Sequence, residues 1–167
     1  MLSDIRWIQA IADELERTGR LGQLREYNQH GNVSVYAHSL AVARKALELA
    51  EKHHVRVDRR ALVRGALLHD YFLYDWHVKD PDRPLHGFAH PRIALENARR
   101  DYALNPIEED IIRRHMFPLT PVPPATKEGW LVCLADTMCA ARETFDLRRL
   151  RPASGRRSAK GVSDRVR

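Results

Sequence analysis

The sequence predicts an all-α fold in which successive helices share one core and several loops are long. Three observations predict it. Apolar residues recur at three- and four-residue steps, the spacing that gathers side chains on one helical face. Capping residues stand directly ahead of several of those segments. No stretch alternates with the period of two that a half-buried strand requires, and no internal repeat is present.

The first helix is marked by Ile5, Ile8, Ile11, Ala12 and Leu15. A polar stretch from Thr18 to Val33, with Gly19, Gly22, Asn28, Gly31 and Asn32, separates it from the next. Ser34 is placed as an N-cap for a long helix reaching about Glu51, with Tyr36, Leu40, Ala43, Leu47 and Ala50 available for burial. Asp58 caps a short apolar helix, Ala61 to Asp70. From Phe72 to His90 the pattern breaks up, because Pro81, Pro84 and Gly87 rule out a continuous helix. Pro91 suits the first turn of the helix that follows, to about Tyr102. Asn105 and Pro106 open another, ending at His115. Met116 to Pro124 holds four prolines in nine residues and must be a loop, after which a last helix runs from about Glu128 to Phe145.

A chain of 167 residues with 44% hydrophobic and 30% charged residues fits one soluble globular unit, and no apolar run approaches the roughly 20 residues of a membrane span. The N-terminus has neither the basic head nor the small-residue cleavage site of a secretory signal. Cys133 and Cys139 alone exclude a disulfide scaffold, so the reducing cytoplasm is the expected compartment. The net charge of +6 is unevenly spread. Residues 148–167 carry eight Lys or Arg and one acid, leaving the other 147 residues at −1. A basic face on the folded body is therefore not implied. The tail reads as disordered, and any nucleic-acid contact is expected only through it.

The chemistry concentrates in histidines, nine in all. His69 and Asp70 end an apolar helix, where both cannot face a core cheaply unless they bind something. Imidazole with carboxylate is a good donor set for zinc, iron, manganese and similar divalent ions. Asp136 is embedded in LVCLADTMCA, where an unpaired carboxylate would be expensive to bury. His38 lies inside the long helix, His90 directly before Pro91, and His115 directly before the proline loop. Each of these, taken singly, is more often a satisfied structural residue than a ligand.

Taken in order, His38, His69-Asp70, His90, His115 and Asp136 resemble the HD-domain metallohydrolase superfamily, an all-α fold whose pattern is H…HD…D on successive helices. The likeness extends to context: SVYAHSLAVA, RGALLHD and LADTMCA, with HGFAHPRIALENA and IIRRHMFP matching the branch that has two further histidines. It spans about His30 to Glu143 and implies a single HD-type helical bundle over residues 1–147, followed by the tail at 148–167. Carried over position by position, the resemblance implies that His38, His69, Asp70 and Asp136 hold one metal ion. Asp70 would bridge to a second ion completed by His90 and His115, and His69 and Asp70 would be central to catalysis.

The activity so implied is a metal-dependent phosphohydrolase that cleaves a phosphomonoester or phosphodiester, a nucleotide or related small metabolite, with a metal-activated hydroxide. Two divalent ions of iron, manganese, cobalt or zinc, roughly 3.5–4 Å apart, are the expected cofactors. Arg64, Lys79, His86 and Arg92 are candidates for holding the phosphorylated substrate, although each also reads as a solvated surface group. The aromatic run Tyr71, Phe72, Tyr74 and Trp76 could stack a base or pack the core. Tyr71, Phe72 and Leu73 stand where cyclic-dinucleotide branches carry IGK after the doublet. The GYP loop of the HD-GYP branch is missing after His115, so cyclic di-GMP hydrolysis is not expected. Two alternatives share the sequence features: a di-iron oxygenase of the same superfamily, and a non-catalytic HD-fold module that binds through its tail. Neither membrane binding nor any particular oligomeric state is implied.

Overall fold

The computed structural model describes residues 2–30, 32–76 and 86–150, with side chains for all of these except His30, His86 and residues 147–150. The expected all-α architecture is present. The helices are α1 (Leu2–Thr18), α2 (Val35–Lys52), α3 (Arg59–Leu68), α4 (His86–Asp101), α5 (Pro106–Arg114) and α6 (Lys127–Leu150). Ile8, Ile11, Ala12 and Leu15 form the buried stripe of α1. The side chains of Ser34 and Asp58 accept hydrogen bonds from the amides of Ala37 and Ala61, as their capping positions imply. No described helix is long and apolar enough to cross a membrane.

Three local features depart from the sequence reading. The polar stretch after α1 is not plain loop: it contains a 3₁₀ turn, Leu21–Arg25, and a two-stranded antiparallel ribbon of β1 (Asn28–His30) and β2 (Val33–Ser34). Strands this short carry no alternation to read. Their register shifts between Asn28 and His30, which leaves Gln29 as the extra residue of a bulge. The helix expected to open at Pro91 begins at His86 instead, so Pro91 sits inside α4 and His90 lies more than a turn in. A proline so early in a helix removes only one internal hydrogen bond, which the helix tolerates. Helix α6 runs to Leu150, and residues 151–167 of the basic tail lie outside the described residues.

Helix α2 is the centre of the fold, packed on α3 along one side and on α6 along the other. Helix α3 in turn packs on α5, and α5 on α4 and α6. Gly65 sets how closely α3 and α5 approach, because a Cβ there would lie 2.5 Å from Ile111 Cδ1. One turn further along each helix stand His69 and His115. Helix α5 opens with a capping box between Asn105 and Glu108, and the buried Glu108 also accepts from Arg64 Nε at 2.7 Å. Asp110 accepts from the amides of Ala125 and Thr126, which ties the end of the proline loop and the start of α6 to α5. These contacts gather five helices around one place.

Candidate metal centre

Five helices contribute to the centre. His38 comes from the buried face of α2, and His69 caps α3 with Asp70 following it. His90 comes from α4, His115 caps α5, and Asp136 comes from α6. The chain then turns away from the doublet through Leu73, which has a left-handed φ of 57°. That conformation is unfavourable for a side chain branched beyond Cβ and is held by the surrounding packing.

The structure brings all six predicted donors together. Three overlapping groups could hold an ion: His38, His69 and Asp70; His69, His115 and Asp136; and Asp70, His90 and His115. His38 Nε2 lies 2.9 Å from Asp136 Oδ1, and His69 Nε2 lies 3.8 Å from the same oxygen. Asp70 is shared: its Oδ2 is 3.4 Å from His69 Nε2, while its Oδ1 is 3.2 Å from His90 Nε2 and 3.5 Å from His115 Nε2. His90 and His115 approach Nε2 to Nε2 at 2.9 Å.

Backbone carbonyls orient two of the rings. His69 donates from Nδ1 to the Ala66 carbonyl at 2.7 Å, and His115 does the same to Ile112 at 2.9 Å. With Nδ1 committed to a carbonyl, Nε2 of each ring is the nitrogen that faces the centre. His69 Nε2 and Asp70 Oδ1 are buried and make no hydrogen bond, since the neighbouring contacts are close but poorly aligned. Buried polar atoms without partners are costly, and a cation at this position would satisfy both. The donor set of imidazoles and carboxylates fits zinc, iron, manganese or similar ions.

The electrostatics agree. Burial alone would lower the His38 imidazolium, but the Asp136 and Glu143 carboxylates raise it to about 9. Burial likewise opposes the charge on His69, and Asp70 and Asp136 override it to hold its pKa well above the usual value. The Asp70 and Asp136 carboxyls are held well below the ordinary carboxylate range, because the surrounding histidines outweigh the burial that pushes them up. His115 is lowered by burial. The site thus holds ionised carboxylates and attracts positive charge, and a cation bound there would displace the protons of His38 and His69.

Two residues of the site were not identified from sequence. Glu143 receives the other ring nitrogen of His38, Nδ1, with its oxygens at 3.0 and 3.2 Å. It lies two turns after Asp136 on α6, so the same helical face carries both, and that spacing was a readable signal. Gln29, the bulge residue of β1, donates from Nε2 to Asp70 Oδ2 at 2.7 Å. No periodicity marks it, because a bulge re-aims a side chain independently of strand alternation.

Asp70, His90, His115 and Asp136 line a cavity of about 390 Å³ together with Gln29, Trp76, Phe117, Leu119 and Thr137. Among the described residues its lining includes no lysine or arginine. Arg64 is placed elsewhere: it pairs with Glu108 at 2.7 Å and lines a different cavity, with Glu14 and Asp101. Arg92 is an exposed partner of Glu96 at 2.6 Å. The structure thus brings neither arginine to the six donors. Lys79 and His77 lie outside the described residues, as do the side chains of His30 and His86. His53 and His54 are exposed at the end of α2. The aromatic run divides: Tyr71 and Phe72 are buried, with Phe72 edge-on to His90 at 5.8 Å, while Trp76 lines the cavity.

An all-α bundle whose helices bring histidine and aspartate together in its interior is the architecture of a metal-binding helical domain. The HD-domain family model matches residues 35–141, most of the chain, and the protein belongs to the HD-domain family. Comparison with curated proteins and with solved structures found no match.

Proposed function

We propose that the protein is a metal-dependent phosphohydrolase that cleaves a phosphomonoester or phosphodiester of a small metabolite, such as a nucleotide, at this centre. The observation that carries the reading is the shared position of Asp70 between two groups of histidines, with its Oδ1 and His69 Nε2 buried and unbonded. Divalent ions bound there supply Lewis acidity, lowering the pKa of water towards neutrality and offsetting charge on a phosphoryl oxygen. His38, His69, Asp70 and Asp136 would hold one ion, and Asp70, His90 and His115 the other.

The remaining residues prepare the site. The Ala66 and Ile112 carbonyls hold the protons of His69 and His115 on Nδ1, and Glu143 orients His38. Gln29 occupies one edge of Asp70 and limits how that carboxylate can rotate. Trp76, Phe117 and Leu119 wall the cavity, exclude water and offer apolar surface to the organic part of an ester. The two free cysteines fit a reducing compartment, and the cytoplasm is the proposed location.

The test has two parts. Metal content is measured on protein purified without chelators or a nickel column, and a panel of phosphomonoesters and phosphodiesters is assayed with and without oxygen. About two ions per chain and oxygen-independent phosphate release are expected. Iron together with oxygen consumption matched to product would overturn hydrolysis in favour of oxygenation. Failure to take up any metal after reconstitution would leave a binding module.

A further inference from the structure

Helix α6 has two unlike faces. Asp136 and Glu143 point to the centre. On the opposite side, Trp130, Leu134, Met138, Ala141 and Phe145 fall within an arc of about 80° along roughly 22 Å of helix axis. Their exposure is high for apolar side chains: 47% for Trp130, 50% for Leu134, 42% for Met138 and 65% for Phe145. Thr137 and Thr144 border the arc, and no charged residue enters it between Trp130 and Phe145, in a chain where 30% of residues are charged. The proline loop adds to this surface. Phe117 stacks edge-on against Trp130 at 5.4 Å, and Leu119 of the same loop is exposed beside Thr137.

We propose that this face is the interface of a homodimer, with the α6 helices of two copies packed antiparallel about a two-fold axis near Thr137 and Met138. Two features select a second copy as the occupant. The first is area. The exposed apolar side chains of α6 and the loop offer on the order of 600 Å² per copy, the upper end of what a monomer leaves in one patch. Doubled across a pair, that surface reaches the lower end of the roughly 1,200–2,000 Å² of a stable interface.

The second is self-complementarity, which a two-fold contact demands because the same patch serves both sides. Antiparallel pairing about Thr137 and Met138 sets Trp130 against Phe145 of the other copy, an aromatic pair at each end. It also sets Leu134 against the other copy's Ala141, so a large side chain meets a small one. A crossing angle of about 20° keeps the whole face in contact. Thr137 and Leu119 belong both to this surface and to the lining of the metal-centre cavity, so the second copy stands at the cavity rim.

The experiment is sedimentation velocity on the full chain from about 1 to 100 µM, compared with Leu134→Glu. Wild type is expected to sediment at twice the 19.3 kDa chain mass. The glutamate, placed in the seam one turn from the axis and facing the other copy's Ala141, is expected to weaken association by roughly a hundredfold or more. Because Leu134 is half exposed, circular dichroism and metal uptake of that variant should match wild type. Register is read by cysteine oxidation in a Cys139→Ser background: Met138→Cys cross-links to itself, and Phe145→Cys does not. A wild type that stays monomeric throughout, a dimer that survives Leu134→Glu, or self-linking at Phe145→Cys would overturn the proposal.

Discussion

The Nε2 atoms of His90 and His115 lie 2.9 Å apart, with Asp70 Oδ1 at 3.2 and 3.5 Å from them. His115 donates its Nδ1–H in a hydrogen bond to the Ile112 carbonyl, so its Nε2 presents a lone pair to its neighbour. Two ring nitrogens held at right angles, about 2.1 Å from one ion, would be about 3 Å apart. The triangle of two nitrogens and one carboxylate oxygen therefore has the dimensions of a coordination face.

Replacing His90 with glutamine tests that triangle alone, because His38, His69 and Asp136 are untouched. Metal content measured by mass spectrometry is expected to fall from about two ions per chain to about one. Far-UV circular dichroism should not change. Two ions retained by His90→Gln would remove this histidine from the ligand set.

Asp70→Asn is expected to do more damage with a smaller change in shape. The carboxylate faces His69 on one oxygen and the His90–His115 pair on the other. An amide of the same size loses the charge that both groups of donors share. Loss of most bound metal and a fall of roughly a thousandfold or more in any phosphoester activity are expected. Retention of full metal and activity would show that the shared position of Asp70 has no chemical consequence.

Glu143 makes a separable contribution. It touches His38 through the ring nitrogen facing away from Asp136, so it orients a donor without reaching the centre. Glu143→Gln preserves length and one acceptor oxygen but removes the charge that polarises the ring. Partners of this kind typically contribute about 10- to 100-fold in metal affinity. Competition with a chromophoric chelator should show a loss in that range for the first ion. Stoichiometry at saturating metal should remain at the wild-type value.

Gly65→Ala probes how helix packing sets the site. Alanine improves helix propensity by about 1 kcal/mol, but the new Cβ would meet Ile111 at 2.5 Å from Cδ1 and 3.0 Å from Cβ. The clash involves the root of the Ile111 side chain as well as its tip, so rotation alone does not relieve it. Overpacking of about 1–3 kcal/mol outweighs the propensity gain, and urea denaturation should show a net loss. Adding Ile111→Val removes Cδ1 and should recover part of the stability. Metal affinity is expected to fall with Gly65→Ala because His69 and His115 sit one turn beyond the contact.

The helices were legible because each left a local mark, and the six clustered side chains because their order and context form one pattern. Ser34 and Asp58 announce helix starts, apolar spacing marks buried faces, and the order of His38, His69-Asp70, His90, His115 and Asp136 survives without any knowledge of distance. What could not be read depends on tertiary placement. Arg64 looks like a phosphate ligand by its closeness to His69 in sequence, yet five residues along a helix turn it towards Glu108. Gln29 gains its role from a bulge between two strands too short to show a pattern. The start of α4 at His86 was masked by Pro91, which the sequence places at a helix start and the structure places inside.

The network around Asp101 gives a pH dependence separate from the metal centre. Tyr71, directly after the HD doublet, donates to Asp101 Oδ2 at 2.7 Å, and Arg20 donates from Nε to the same oxygen at 2.8 Å. Burial alone would raise the Asp101 carboxyl, but these two donors hold it below its ordinary 3.8. A depressed folded-state pKa contributes stability above the unfolded value and loses it as pH falls through the folded value. The stability gap between wild type and Asp101→Asn, from urea denaturation, should therefore be constant above about pH 5 and shrink below about pH 4. Its plateau should be about 1–3 kcal/mol, mostly from the Tyr71 bond, since the more exposed Arg20 is screened by solvent. A gap that widens as pH falls would contradict the assignment of Asp101 as an ionised acceptor for Tyr71.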